Sequence, residues 1–290
     1  MSERPVLFVT GHAPPYRRRA FAALHELENV EYALFGGPLQ HGIGPPSPGP
    51  PEGEGGGESA GGNELPFPNR HVSQHEIGRL AASGRHRAVI ASTGGRLALP
   101  LAWAGARRAG APLLLWSSLW AHPRSPAHAI SYPLLLRLYR SADALVTYGP
   151  HVSAHVRARG ARNVHVAPQA VENEFWSAPE VSPPPTPPWP AGADVKFLFA
   201  GRPTREKGLG VLIEAWRASG LCAPSAALVL VGVGSSPPWV PAGGAVSPES
   251  GGRDPHGILT LDPVGPRELR DIYAAADVLV VPSIATRTFR

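Results

Sequence analysis

Short apolar runs alternate along the chain with longer stretches whose apolar residues recur at helical spacing. Residues 6–10, 30–35, 88–91, 112–116, 144–147, 164–167, 195–200, 226–231, 257–261 and 277–281 each read as a strand. Between them, residues 17–27, 76–83, about 95–109, 129–140, 151–159, a segment from Leu209 and 266–276 read as helices. Leu209, Leu212, Ile213 and Trp216 show the pattern most clearly, at i, i+3, i+4 and i+7 on one helix face. Strand and helix in alternation predict an α/β fold built on parallel sheet. The strands are apolar throughout rather than alternating, as expected where helices cover both faces of a sheet.

Three stretches break the pattern. Residues 36–69 are dense in glycine and proline, lack periodicity and predict a flexible insertion. Residues 177–193, centred on SPPPTPPWP, predict a proline-stiffened linker. Residues 235–256 stand where a helix would normally follow a strand. The expected organisation is therefore a first α/β domain over 1–170, a linker over 171–194 and a second domain over 195–290.

Charge separates the two halves. Residues 1–170 hold 17 Arg against ten acids, and residues 65–170 hold 13 Arg against only Glu76 and Asp143. The remainder is slightly acidic, with ten basic and 12 acidic residues. A basic first half suits an anionic neighbour such as a lipid surface or a phosphorylated acceptor. A general preference for Arg over Lys, 25 to two, explains the choice of cation but not the shortage of acids. The basic and apolar stretch 131–140 could lie on an anionic membrane, although packing on the sheet is the commoner fate of such a helix. Cys222 is the only cysteine, which excludes an internal disulfide framework and fits a reducing compartment. No apolar run reaches the roughly 20 residues of a membrane-spanning helix. The twelve His residues are scattered, so no protein-bound metal is expected. A cytoplasmic location follows as the expectation, with peripheral contact at the inner membrane face left open.

The chemistry concentrates in Gly201-Arg202-Pro203-Thr204-Arg205-Glu206-Lys207-Gly208, between a strand and a helix. A helix start offers free backbone N–H groups and partial positive charge. Arg202 can fork onto a phosphate, and Lys207 supplies a point charge. The residues thus predict a diphosphate site. Gly232-Val233-Gly234 is not a dinucleotide fingerprint, because a third glycine is missing and Pro237-Pro238 forbids the helix.

The same stretch, Gly-Arg-x-x-x-Glu-Lys-Gly, resembles the donor-site signature of family 4 glycosyltransferases. Support comes from Glu268-Leu269, Tyr273, Ala276-Asp277 and Pro282-Ser283, spaced as in that family, and from Ala167 to Trp176, similar to its segment leaving the first domain. The resemblance implies two Rossmann-like parallel-sheet domains of the GT-B type. It implies transfer of a sugar from a nucleotide-diphosphate sugar with retained anomeric configuration, onto an acceptor that could be lipid-linked or a polysaccharide. Carried over, Arg202 and Lys207 hold the diphosphate and act in catalysis, and His122 meets the transferred sugar. Gly11, Gly201, Gly232, Glu268 and Ser283 complete the donor site, with no cofactor beyond the donor. The family continues with two glutamates eight positions apart that hold the sugar and ribose, and no such pair follows Ser283 within these 290 residues. The expectation is an incomplete second domain, a fragment with little or no activity of its own. The rival is a non-catalytic basic α/β module on an anionic surface or nucleic acid, though no groove-reading motif or zinc knuckle supports nucleic acid.

Overall fold

A computed structural model describes residues 4–36, 65–122, 126–177, 188–190, 192–233 and 257–284. The chain forms two compact units and passes from the first to the second between Phe175 and Trp176.

The first unit runs β1 (Val6–Thr10), α1 (Pro15–Glu28), β2 (Val30–Leu34), β3 (Asn69–His71), α2 (Gln74–Ala81), β4 (Ala88–Ser92) and α3 (Ala98–Ala109). It continues through β5 (Leu113–Ser117), α4 (Pro126–Ser141), β6 (Ala144–Thr147), α5 (Pro150–Arg157) and β7 (Val164–Val166) into α6 (Asn173–Ser177). The seven strands pair in parallel in the order β3-β2-β1-β4-β5-β6-β7. Strand β1 therefore starts in the middle, and the chain builds outward first to one side and then to the other.

Alternation along these strands divides the core. Leu7, Val9, Val89, Leu115 and Leu145 pack with Ile77, Ala102, Leu138 and Val156 from α2 to α5. On the other face Phe8 joins Phe21, Tyr32 and Phe67 beneath α1. Tyr32 stacks on Phe21 with centroids 4.7 Å apart and donates its hydroxyl proton to the Phe21 carbonyl at 2.8 Å. Burial drives the Tyr32 phenol pKa well above its usual range.

Strand β3 was not expected from sequence. Asn69, Arg70 and His71 are polar and exposed, so no apolar signal marks them. They form a strand because β2 offers its edge: the Tyr32 N–H donates to Pro68 and the Val72 N–H to Leu34. Phe67, inside the stretch read as a flexible insertion, is buried in the aromatic cluster. The rest of that stretch, 37–64, lies outside the described residues, as do 234–256. In α4, Leu138 and Tyr139 are buried on the sheet and Arg137 lies over the Trp103 ring, whereas Ile130 and Leu134 are exposed. Among the described residues no helix is long and apolar enough to cross a membrane.

The second unit comprises β8 (Val195–Ala200), a 3₁₀ turn (Arg205–Lys207), α7 (Leu209–Ser219), β9 (Ala226–Val231), β10 (Ile258–Leu261), α8 (Pro266–Ala275) and β11 (Val278–Leu279). Its sheet is again parallel, in the order β10-β9-β8-β11. Helix α7 covers one face, with Leu209, Leu212, Ile213 and Trp216 against Phe199, Leu228 and Leu230. Each such side chain contributes about 1.5–3 kcal/mol on burial. Helix α8 covers the other face through Ile272 against Leu198, Val229 and Val231. Trp189, within the stretch read as linker, belongs to this same core and donates its indole N–H to the Phe197 carbonyl at 3.2 Å. Asp277 fixes the β11 end of the motif structurally: its carboxylate accepts the Lys196 N–H at 2.8 Å. Strand β11 is the outermost described strand, with Leu279 half-exposed and Val281 beyond it 72% exposed.

Candidate functional site

In an open parallel sheet, ligands bind beyond the carboxyl ends of the strands where the winding reverses direction. In the second unit that point falls between β8 and β11, since β8 leads outward to β9 and β10 before α8 returns to β11. The loops there are 201–208 and 282–284, the two stretches singled out from sequence.

Three close backbone approaches shape this edge. Gly201 donates its N–H to the Val231 carbonyl at 3.0 Å. Gly232 has a positive φ of 83°, and a Cβ there would sit 3.0 Å from the Gly201 carbonyl oxygen. Gly208 has a φ of 67°, and a Cβ on it would overlap the Pro282 carbonyl. The Ile284 N–H closes the arrangement by donating to the Glu206 carbonyl at 3.0 Å. Glycine is required at 208 and 232 because left-handed backbone and close approach coincide.

The local structure differs from a simple strand, turn and helix. Residues Arg205–Lys207 form a 3₁₀ turn, and Gly208 caps α7, so the helix starts at Leu209 rather than beside Arg202. The Lys207 N–H is taken by Thr204 and the Gly208 N–H by Arg205, while the Leu212 N–H donates to Gly208. The helix therefore offers the N–H groups of 209–211, and the two cations lie upstream of them on the loop. Arg202 is exposed and Lys207 half-buried, and neither makes an ion pair among the described residues. Glu206 lies between them with its pKa lowered, first by its own backbone N–H and then by Thr204, Arg202 and Lys207. Glu268 stands exposed in the first turn of α8, and Ser283 is exposed beyond β11.

The first unit reverses between β1 and β4. Gly11 follows β1 and accepts the Gly36 N–H at 2.8 Å, but a Cβ on Gly11 would meet only the Phe35 ring at 3.9 Å. The glycine this turn cannot spare is Gly36, where a Cβ would overlap the His12 ring. The start of α3 is already occupied, because the Gln74 side-chain oxygen accepts the Leu97 and Ala98 N–H groups at 2.8 and 3.1 Å. His122 donates from Nε2 to the His128 carbonyl at 3.0 Å and packs on Tyr132 with centroids 4.3 Å apart. That bond sets its neutral tautomer and leaves Nδ1 as the acceptor. Among the described residues no three His, Cys, Asp or Glu side chains group as metal ligands would.

Sequence reasoning missed one feature of this unit. The Arg17 guanidinium lies 4.8 Å over the Trp116 ring and donates to the Tyr148 hydroxyl at 2.9 Å. Its Nε is buried with no partner. These residues converge on a cavity of about 340 Å³. Tyr148 is 131 positions from Arg17, and no local pattern links them.

Comparison with known proteins agrees with this geometry. A family model described as glycosyl transferases group 1 matches residues 194–290, which contain β8 to β11 and the whole 201–208 loop. HepE from Anabaena, solved in complex with UDP, superimposes with a TM-score of 0.61 at 14% identity, over 97% of this chain and 74% of its own. The fold is that of the GT-B glycosyltransferases. The match to the group 1 family model falls on the second unit. Sucrose-phosphate synthase from Thermosynechococcus elongatus is similar in structure at a TM-score of 0.58 and 14% identity, over 97% of this chain and 76% of its own. A UDP-N-acetylglucosamine 2-epimerase from Rickettsia bellii reaches 0.50 at 11% identity, over 95% and 73%, so the GT-B fold also serves chemistry other than transfer. No curated protein matches the chain in sequence.

Proposed function

We propose that this chain binds a nucleotide-diphosphate sugar at the β8–β11 edge of its second unit and takes part in sugar transfer with retention of anomeric configuration. The observation that supports this most is the 201–208 loop. It brings Arg202, Lys207 and the free N–H groups of α7 to the reversal point of a sheet within the segment matching the glycosyltransferase family model. In the transfer, the acceptor hydroxyl oxygen bonds to the anomeric carbon as the bond from that carbon to the diphosphate breaks, and the hydroxyl proton is released. Arg202 and Lys207 meet the charge that builds on the leaving diphosphate, with no protein-bound metal required. Gly201 and Gly232 let the backbone approach the phosphates, and Glu268 and Ser283 frame the donor.

The test is calorimetric titration of the 290-residue chain with UDP-glucose and GDP-mannose, repeated with Arg202→Ala/Lys207→Ala. Saturable binding lost in the double variant supports the reading. If neither donor binds while duplex DNA or anionic vesicles bind in a salt-dependent manner, the basic first unit is the functional part and the transferase reading falls.

A further inference from the structure

A second cavity, of about 310 Å³, lies at the amino ends of β5 and β6. That is the edge opposite to the one where open parallel sheets bind their ligands. Its lining comes from two adjacent connections: Trp103, Arg107, Gly110 and Leu113 on the way from α3 into β5, and Ser141 and Asp143 on the way from α4 into β6.

Two cations meet there without an anion. The Arg107 guanidinium lies 5.5 Å from the centroid of the Trp103 ring, and the Arg137 guanidinium, reaching across from α4, lies 5.6 Å from it. Both arginines are exposed, and neither has an ion pair or a hydrogen bond among the described residues. Residues 65–170 contain only two acids. Glu76 is engaged elsewhere, accepting both the N–H and the hydroxyl of Ser73 at 2.7 Å. Asp143 accepts the Leu113 N–H through Oδ2 at 2.8 Å. The shortage of acids in this half of the chain thus has a local result: two guanidinia share one aromatic ring and face no counter-charge. Stacking restricts both heads before any ligand arrives, so less freedom is lost when an anion binds.

The remainder of the cavity calls for hydrogen-bond donors. The Asp143 Oδ1 accepts no bond among the described residues. The Ser141 hydroxyl oxygen accepts the Trp103 indole N–H at 3.0 Å and keeps its own proton to donate. Helix α3 ends at Gly110 and α4 at Ser141, so the carbonyl ends of two helices add partial negative charge. A bare anion is therefore favoured at the arginines and disfavoured deeper in. The complementary ligand is doubly negative at one end and carries hydroxyl groups at the other. A phosphate monoester, with a charge of about −1.5 to −2 near neutral pH, answers two guanidinia where a carboxylate answers one. The volume stands at the small end of ligand sites, which span about 300–1,000 Å³.

We propose that this cavity binds a small hydroxylated phosphate monoester, with the phosphate against Arg107 and Arg137 and the hydroxyls on Asp143 and Ser141. This binding is independent of the transferase reading above.

Glycerol phosphate is the probe, titrated by calorimetry into the 290-residue chain, with inorganic phosphate and glycerol as partial ligands. It is expected to bind one to one, at least tenfold more tightly than inorganic phosphate, with glycerol too weak to detect. Arg107→Gln/Arg137→Gln should weaken it about tenfold to a hundredfold, while the thermal midpoint stays near that of the unaltered chain because both side chains are exposed. Asp143→Asn keeps an oxygen for the Leu113 N–H but removes the charge. It should weaken glycerol phosphate and strengthen inorganic phosphate, an opposite pair of shifts that a loss of folding would not produce. Arg202→Ala/Lys207→Ala should leave glycerol phosphate binding unchanged, which separates this cavity from the loop after β8. The proposal is overturned if glycerol phosphate does not bind, or if its binding survives Arg107→Gln/Arg137→Gln and is lost in Arg202→Ala/Lys207→Ala. It is equally overturned if inorganic phosphate binds as tightly, since the arginines then act as a bare anion site in which Asp143 and Ser141 have no part.

Discussion

Gly208 and Pro282 approach so closely that a single methyl group on Gly208 would overlap the Pro282 carbonyl oxygen. The contact joins the loop after β8 to the turn after β11, which are 74 positions apart in the chain but adjacent in the sheet order. Gly208 also adopts a left-handed φ of 67°, so a side chain there meets strain and overlap together. Gly208→Ala should destabilise the second unit by about 1–3 kcal/mol and weaken nucleotide-sugar binding. Gly210→Ala is the control. It stands two residues later in α7 with no atom near its missing Cβ, and should be neutral or stabilise by up to about 1 kcal/mol. Thermal unfolding of the two variants side by side separates a position that must be glycine from one that merely is.

Arg202 and Lys207 are cations without ion-pair partners among the described residues, so removing either should cost little stability. Each should instead cost donor affinity. One charge-assisted hydrogen bond is worth about 1.5–3 kcal/mol, so Arg202→Ala and Lys207→Ala should each weaken UDP-glucose binding by about tenfold to a hundredfold. Arg202→Lys should recover only part of the loss, because an ammonium does not reproduce the planar fork. Titration calorimetry together with thermal midpoints checks this, and a fall in midpoint as large as the fall in affinity would assign the residues a structural role.

The periodic parts of the chain were the readable ones. Residues 6–10, 144–147, 195–200 and 226–231 were expected as strands and are strands with those bounds, because a continuous apolar run between turn residues has few alternatives. The 201–208 loop was readable as a turn between strand and helix, with glycine, arginine and lysine clustered in it. The 3₁₀ turn at Arg205–Lys207 was not, since it follows from the Gly208 cap and the Pro282 approach, which are tertiary facts. Gly36 matters more to its turn than Gly11 for the same kind of reason: its neighbour His12 is close in space through a strand pairing. The Arg17, Trp116 and Tyr148 cluster is assembled from α1 and from β5 and the end of β6, and no single window of sequence contains it.

His155 gives the first unit a pH dependence. Burial foremost, then the positive charge of Arg159 and the proximity of His122, holds its pKa below the ordinary histidine value. The unfolded chain therefore binds this proton more readily than the folded one. Stability is fully present above the unfolded pKa of about 6.5 and declines as pH falls from there toward the lower folded value. His155→Gln should flatten that part of the curve. Urea midpoints of the two proteins at a series of pH values between about 7.5 and 5 are the measurement, and parallel curves would mean that another group carries the dependence.

Trp189 carries the last prediction, because composition and structure disagree most sharply there. It sits in a proline-rich stretch that reads as linker, where an exposed tryptophan would be dispensable. In the structure it is 5% exposed, packs beneath β8 with Leu198, Val229 and Ile272, and donates its indole N–H to the Phe197 carbonyl. Trp189→Ala should thus remove a large buried ring and leave that carbonyl without its indole donor, at a cost of about 3–5 kcal/mol. Trp189→Phe should retain most of the packing and lose the hydrogen bond, a smaller cost of about 1 kcal/mol plus the difference in ring size. A true linker residue would give no change in either variant. If the graded loss appears, the second unit needs residues from before β8 to fold, and a truncated version starting at Val195 should be markedly less stable than one starting before Trp189.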